Sequence, residues 1–436
     1  MTDKDLSKLR QGVNFGNFFT NYGRVEQIVG MTIEASGMSC NVGDVCEILT
    51  ADGERVVCEA VGFRGGMALL MPYNDTDGVG YGNPVYNTHK KLQVKMSDDL
   101  IGRTVDALGN PIDGKGEIKG NSYYSINGKP SNPMTRPAIS EPIELGIKAI
   151  DGMLTIGKGQ RMGIFAGSGV GKSTLMGMIA RNVTADVNVI ALVGERGREL
   201  VEFLNNDLGE EGAKRSVVVV ATSDMSAMLR NKCALTATTI AEYFRDKGMN
   251  VLLMMDSLTR YCMAQREIGL STGEPPVARG YPPSIYASLP KLLERCGNFE
   301  KGSITGIYTV LVEGDDSNEP VSDTVRGIID GHIMLSRKIA MKNHYPAIDV
   351  LASLSRLMSA IASSEQKQMA GKIRNLMSIY NENQDLISIG AYKSGSNPEL
   401  DTAIKKIGEI NEFLQQTVDV RFSHKETVDI MRKILA

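Results

Sequence analysis

The chain has 436 residues, long enough for two or three domains with a sizeable core. With 42% hydrophobic and 23% charged residues it has enough apolar surface to offset chain entropy, which excludes wholesale disorder. Lys and Arg total 48 against 51 Asp and Glu, a net charge of −3, so no global positive field gathers a polyanion and a dedicated nucleic-acid binder is disfavoured.

The chain starts Met1-Thr2-Asp3-Lys4-Asp5-Leu6, without the apolar core of a signal peptide, and no run of about 18 apolar residues follows, so the expectation is a cytoplasmic protein. Within residues 1–22, Leu6, Leu9 and Val13 sit at helical spacing; a short amphipathic helix and ordinary terminal fraying are both open. Residues 23–95 show β-rich runs at 24–33, 45–49, 55–63 and 67–71, with turn signals at Asp52-Gly53 and Gly65-Gly66. Such short strands predict a small closed barrel, because closure removes exposed edges. A Gly/Pro connector follows, and within residues 96–359 the pattern becomes apolar strands alternating with helical segments. Runs at 161–166, 187–193, 216–221, 251–255 and 304–312 are almost wholly apolar, as strands covered on both faces must be, and predict a three-layer α/β core. From 360 to 436 helical spacing takes over, as in Ile373, Leu376, Met377 and Tyr380, then Ile404, Ile407 and Ile410. The six cysteines lack any CxxC pair and read as reduced, mostly buried thiols rather than a disulfide framework or zinc site.

The most informative stretch is Gly163-Ile164-Phe165-Ala166-Gly167-Ser168-Gly169-Val170-Gly171-Lys172-Ser173-Thr174. An apolar strand enters a glycine-rich turn, and Leu175, Met178 and Ile179 then take helical spacing, the context that a phosphate-binding loop requires. Successive backbone N–H groups and a helix N-terminus concentrate positive charge on a phosphate, and glycines let the backbone come close. Lys172 would pair with the β- and γ-phosphates and Ser173 would ligate Mg2+; Ala166 stands where the loop consensus has glycine. The plainer alternative is a structural glycine turn before a helix. The run at 251–255 followed by Asp256 resembles the second nucleotide motif, an apolar strand delivering one carboxylate to the Mg2+ shell, although an apolar strand ending in Asp is also common by chance. Another apolar run ends at Gly194-Glu195, where Glu195 is either the general base that polarises the attacking water or a solvated strand-end charge.

Taken together, these segments resemble the hexameric ATPases of flagellar and type III secretion export, relatives of the rotary ATP synthase catalytic subunit. The resemblance runs from about residue 20 through an ordered string: EPIELGIKAIDG (141–152), FAGSGVGKST (165–174), GERGRE (194–199), DSLTRY (256–261), GEPP (273–276), GYPPS (280–284), EGDD (313–316) and HYPAID (344–349). FAGSGVGKS and GERGRE are similar to the export branch, whereas the synthase catalytic subunit typically shows a GGAGVGKT-like loop and GERTRE. The resemblance implies an ATP synthase-like barrel, a RecA-like nucleotide-binding domain and a helical C-terminal domain. It implies that Lys172 and Ser173 bind phosphate and Mg2+, Glu195 activates water, Asp256 organises the metal shell, Arg196 contacts the γ-phosphate and Tyr345 packs on adenine. It further implies that Arg356 is an arginine finger reaching into a neighbouring subunit's site, although on bare sequence Arg356 reads as a helix-surface arginine. The partners implied are five further copies in a homo-hexamer, coiled-coil regulatory and stalk proteins, export substrates with their chaperones, and an export gate at the inner face of the cytoplasmic membrane. General likeness favours a flagellar system over an injectisome.

Three other functions compete. A rotary synthase or vacuolar-type catalytic subunit is opposed by the export-type motifs and by the absence of a large insertion. A nucleic-acid motor such as the Rho helicase is opposed by the mild acidity and the absence of tryptophan. A non-catalytic ring subunit is opposed by the presence of Lys172, Glu195 and Asp256 together.

Overall fold

The computed structural model describes residues 22–128, 132–312 and 319–436. The segment before Tyr22, where a short amphipathic helix and terminal fraying are both open, and the EGDD string at 313–316 lie outside the described residues. The chain divides into two compact units between Leu92 and Gln93.

The first unit is a closed antiparallel barrel built from β1 (Tyr22–Val29), β2 (Thr32–Ser36), β3 (Asp44–Leu49), β4 (Arg55–Arg64), β5 (Met67–Pro72) and β6 (Pro84–Lys91), in the order β1-β2-β5-β4-β3-β6. Alternation decides which side chains face in: β3 buries Cys46 and Ile48 and leaves Glu47 partly exposed. Val25, Ile33, Ala35, Cys46, Ile48, Cys58, Ala60, Leu70 and Val85 form the interior. The sequence run at 24–33 is two strands, not one. Val29 pairs with Thr32 across a two-residue turn, and Gly30 supplies the positive φ of 59° that such a turn needs at its first position. The closing strand β6 gave no sequence signal because only Val85 in it is fully buried.

The second unit opens with β7 (Gln93–Met96), β8 (Thr104–Asp106) and β9 (Ser122–Ser125), then β10 (Pro142–Ile143) and β11 (Ile156–Gly157). The main strands follow: β12 (Arg161–Ala166), β13 (Val187–Glu195), β14 (Ser216–Thr222), β15 (Asn250–Asp256), β16 (Gly297–Asn298), β17 (Ser303–Leu311), β18 (Gly331–Leu335) and β19 (Ile348–Ser355). They form one sheet in the order β19-β18-β12-β17-β15-β13-β14-β8, with β16 beside β17. The pairs from β18 to β8 run parallel, while β19 is antiparallel to β18. Burial along β13 and β15 is nearly unbroken, so both faces are covered, as the apolar runs required. The strands β18 and β19 lie at one edge, where alternating exposure hid them from a search for apolar runs.

Helices Ser364–Glu382, Pro398–Leu414 and His424–Leu435 complete the chain. Their Ile373, Ile410, Phe413 and Met431 join Ile150 and Met153 in one apolar cluster that also holds Ile164 and Ile190 of the sheet. The helical region expected from spacing is therefore continuous in packing with the nucleotide core. All six cysteines are unpaired, and only Cys40 is not fully buried.

Candidate active site

The parallel strands end along one edge of the sheet, and in such sheets ligands bind beyond the carboxyl ends of the strands. Here a cavity of about 1540 Å³ opens there, lined by the loop after β12, the ends of β13 and β17, and the segment around Tyr345. β12 stops at Ala166, and Gly167, Ser168, Gly169, Val170 and Gly171 turn the chain into the helix Lys172–Asn182. Val170 is buried and anchors the loop, while Ser168 and Gly169 are exposed. Gly169 and Gly171 have φ of 76° and 84°, the left-handed region in which a side chain is strained. A Cβ on Gly169 would meet nothing within 4 Å, so the backbone there faces open space. Ser173 is exposed on the first turn of the helix, with Thr174 beside it on the cavity wall.

Lys172 stands at the head of that helix with its ammonium bonded to Asp256 Oδ1 and 3.8 Å from Glu195 Oε1. Burial works to lower its pKa, but the charges of Asp256 and Glu195 outweigh burial and raise it, so the lysine stays protonated. Asp256 is the last residue of β15 and also accepts from Thr309 Oγ1 at 2.6 Å, which fixes its carboxylate from the neighbouring β17. Glu195 closes β13 after a register shift at Gly194, whose φ is 70°. A Cβ at Gly194 would sit 3.2 Å from the Arg260 side chain, so glycine lets that arginine pack beside the carboxyl. Burial and the charge of Asp256 raise the Glu195 pKa against the opposing pull of Lys172 and Arg260. Sequence reading gave Arg260 no role. It sits in the first turn of the helix Leu258–Thr272, lines the cavity, and has a buried Nε with no hydrogen-bond partner among the described residues. The one signal for it was its position in DSLTRY, four residues after Asp256.

Arg196 lines the cavity but is largely exposed and pairs with Glu199 at 3.1 Å. Tyr345 does come to the loop: a Cβ on Gly171 would be 3.4 Å from its ring, and its carbonyl accepts from Gln416 N at 3.0 Å. Beyond it, Pro346, Val418, Val420 and Phe422 continue the cavity, and Lys148 Nζ lies 4.6 Å from the Phe422 ring centre. The Tyr345 ring and these apolar side chains give this end a surface suited to a base, while the loop end is suited to phosphates. Arg356 is not brought to this cavity. It is exposed in the turn after β19 rather than on a helix surface, with its N–H donating to Asp330 O at 3.0 Å.

Among the described residues no group of three or more His, Cys, Asp or Glu is placed to hold a metal. Mg2+ is normally held by one or two protein oxygens plus phosphate and water, so a hydroxyl at Ser173 and the carboxylate of Asp256 beside the loop fit it. No described helix is long and apolar enough to cross a membrane.

The ATP synthase alpha/beta family nucleotide-binding domain matches residues 146–355, its beta-barrel domain matches 25–89, and the T3SS EscN ATPase C-terminal domain matches 362–433. The "Flagellum-specific ATP synthase" of Bacillus subtilis is 54% identical over 403 residues, 92% of each chain. The "Type 3 secretion system ATPase" of Xanthomonas euvesicatoria is 49% identical, covering 95% of this chain and 94% of its own. The assembled ATPase EscN of the enteropathogenic E. coli type III secretion system superposes with a TM-score of 0.91 at 44% identity, over 95% of this chain and all of that one. EscN in complex with its central stalk EscO gives a TM-score of 0.88 at 43% identity over the same shares.

Proposed function

The chain belongs to the ATP synthase alpha/beta family, in the branch of flagellum-specific and type III secretion ATPases, and on that premise we propose how its cavity cleaves ATP. It is an ATP-hydrolysing enzyme. The observation that carries the mechanism is the ammonium of Lys172 held between Asp256 and Glu195 at the head of the glycine loop.

The triphosphate lies over the N–H groups of Gly167, Ser168, Gly169, Val170 and Gly171 and the start of the Lys172 helix, with adenine against Tyr345. Lys172 neutralises the β- and γ-oxygens. Ser173 and Asp256 would hold Mg2+, which would supply further positive charge beside the phosphates. Glu195 accepts a proton from water as the water oxygen bonds to the γ-phosphorus and the bond to the bridging oxygen breaks, giving ADP and inorganic phosphate. Arg260, with its buried Nε, and Arg196 face the charge that develops there. Arg356 serves the site of the next copy, which makes each site complete only in a ring.

The enzyme works as the hexameric motor of a flagellar-type protein export apparatus. Turnover drives release of export substrates from chaperones, their unfolding and their delivery to a gate at the inner face of the cytoplasmic membrane, with a central stalk protein and a coiled-coil regulator as partners. EscN solved with its stalk EscO supports the stalk assignment. The synthase-subunit and nucleic-acid-motor readings are not favoured, because residues 362–433 match the type III secretion C-terminal domain. Phosphate release and binding of a fluorescent ATP analogue test the site: Lys172→Ala is expected to lose both, and Glu195→Gln to keep binding while losing turnover. Full turnover in both variants overturns the assignment.

A further inference from the structure

The strand β19 carries Tyr345 just before its start and Arg356 just after its end. It is not paired evenly along its length. Asp349 stands opposite Met334 and Leu354 opposite His332, so a single residue of β18, Ile333, faces four of β19: Val350, Leu351, Ala352 and Ser353. A bulge of this kind removes ladder bonds and redirects the strand beyond it. Its backbone groups must then find other partners. Leu351 N and Ala352 N donate to Asp349 Oδ1 at 3.1 and 3.0 Å, Ser353 Oγ accepts from Met334 N at 2.9 Å, and His332 Nε2 lies 3.1 Å from Ala352 O.

The remaining support comes from outside the strand. Arg374, on the helix Ser364–Glu382, donates through Nη1 to Val350 O at 2.5 Å and Ser353 O at 3.5 Å, and through Nη2 to Met153 O at 3.0 Å. Among the described residues it makes no ion pair, so its charge is spent on backbone carbonyls at the two ends of the bulge and on the helix Lys148–Met153 beneath. A guanidinium's rigid fork suits several acceptors at once, and its charge strengthens each bond.

We propose that Arg374 is a positioning residue for Arg356: by clamping the bulge at residues 350–353, the C-terminal helices set where the strand delivers the guanidinium offered to the neighbouring site. This rests on the reading of Arg356 given above. The bulge separates the two halves of β19. Ile348 and Asp349 are registered on Leu335 and Met334 with Tyr345 pinned by Gln416, while Leu354 and Ser355 are registered on His332 and Gly331 with Arg356 N–H on Asp330 O, so the bulge is the joint between the two halves. Arg374 bonds to Val350 O at one end of the joint and Ser353 O at the other, so loosening this clamp lets the half that carries the finger shift relative to the half that carries the base site.

The test measures steady-state ATP hydrolysis by the assembled full-length chain, with ring assembly followed by sedimentation. Arg374→Met, which keeps the packing and removes the donors, is expected to lower kcat on the order of ten-fold or more, since small misplacements of a reacting group are costly. The KM for ATP and the assembly should stay as in the parent. Arg374→Lys should recover part of the loss. In the Arg356→Ala background Arg374→Met should have no further effect, because residues acting through one another are not additive. If Arg374→Met fails to assemble, Arg374→Lys decides: kcat below the parent at unchanged KM supports the proposal. Parental kcat in whichever variant decides, a rise in KM equal to the fall in kcat, or an additive double variant overturns it. Parental turnover in Arg356→Ala alone shows instead that the finger reading has failed, whatever Arg374 does.

Discussion

Glu195 is pulled in opposite directions: burial and the Asp256 charge favour its neutral form, Lys172 and Arg260 its ionised form, and the outcome is a pKa raised to about 7. A general base raised into this range in the free enzyme is protonated and idle below it, so kcat/KM should climb as pH rises from about 6 to 8. The sign is fixed, because only the ionised carboxyl can take the water's proton. A pH–rate profile that is flat or falling over that interval contradicts the assignment of Glu195 as base. At the other end of the cavity, Tyr345→Ala should raise the KM for ATP several-fold with little change in kcat, in keeping with the about 0.5–1.5 kcal/mol that ring stacking contributes, while Tyr345→Phe stays near the parent. Equal KM values in both variants would remove the ring from the base site.

The helix Lys172–Asn182 is placed by contact as much as by its loop. A Cβ on Gly177 would sit 2.4 Å from Asp207 O, which is backbone and has no freedom to turn aside. Gly177→Ala is therefore expected to destabilise the protein by about 1–3 kcal/mol and to weaken binding of the ATP analogue, as the helix shifts and takes the phosphate loop with it. A melting temperature and affinity equal to the parent's would show that the helix does not rest on that carbonyl. The elements that could be read from the sequence share one physical property: β12, β13, β14, β15 and β17 are buried on both faces, so their composition alone marks them. The turn at Gly30, the polar closing strand β6 and the edge strands β18 and β19 escaped because pairing, not burial, makes them strands. The site divides in the same way. Lys172, Glu195 and Asp256 stand at or just after the ends of apolar runs, whereas Arg260 is defined by a contact with Gly194 across the sheet, which spacing along the chain does not encode. The bulge that Arg374 caps is a pairing irregularity, equally silent in composition.

At the scale of the whole molecule, the cavity is lined by the loop, the lysine and Glu195, with Asp256 bonded to that lysine, while Arg356 is exposed and does not line it. An interface that joins one surface of a subunit to a different surface of the next closes naturally into a ring, and it supplies Arg356 to every site once. Specific activity should accordingly rise steeply with protein concentration until assembly is complete. The most direct measurement mixes two inactive variants. Glu195→Gln lacks the base but retains the finger, and Arg356→Ala lacks the finger but retains the base. Co-assembled in equal amounts, about a quarter of the sites combine a sound Glu195 with a sound Arg356 from the next copy, if subunits mix at random around a heterologous ring. ATP turnover should reappear in the mixture, well above either variant alone. A mixture that assembles yet is no more active than its components contradicts a site shared between neighbours.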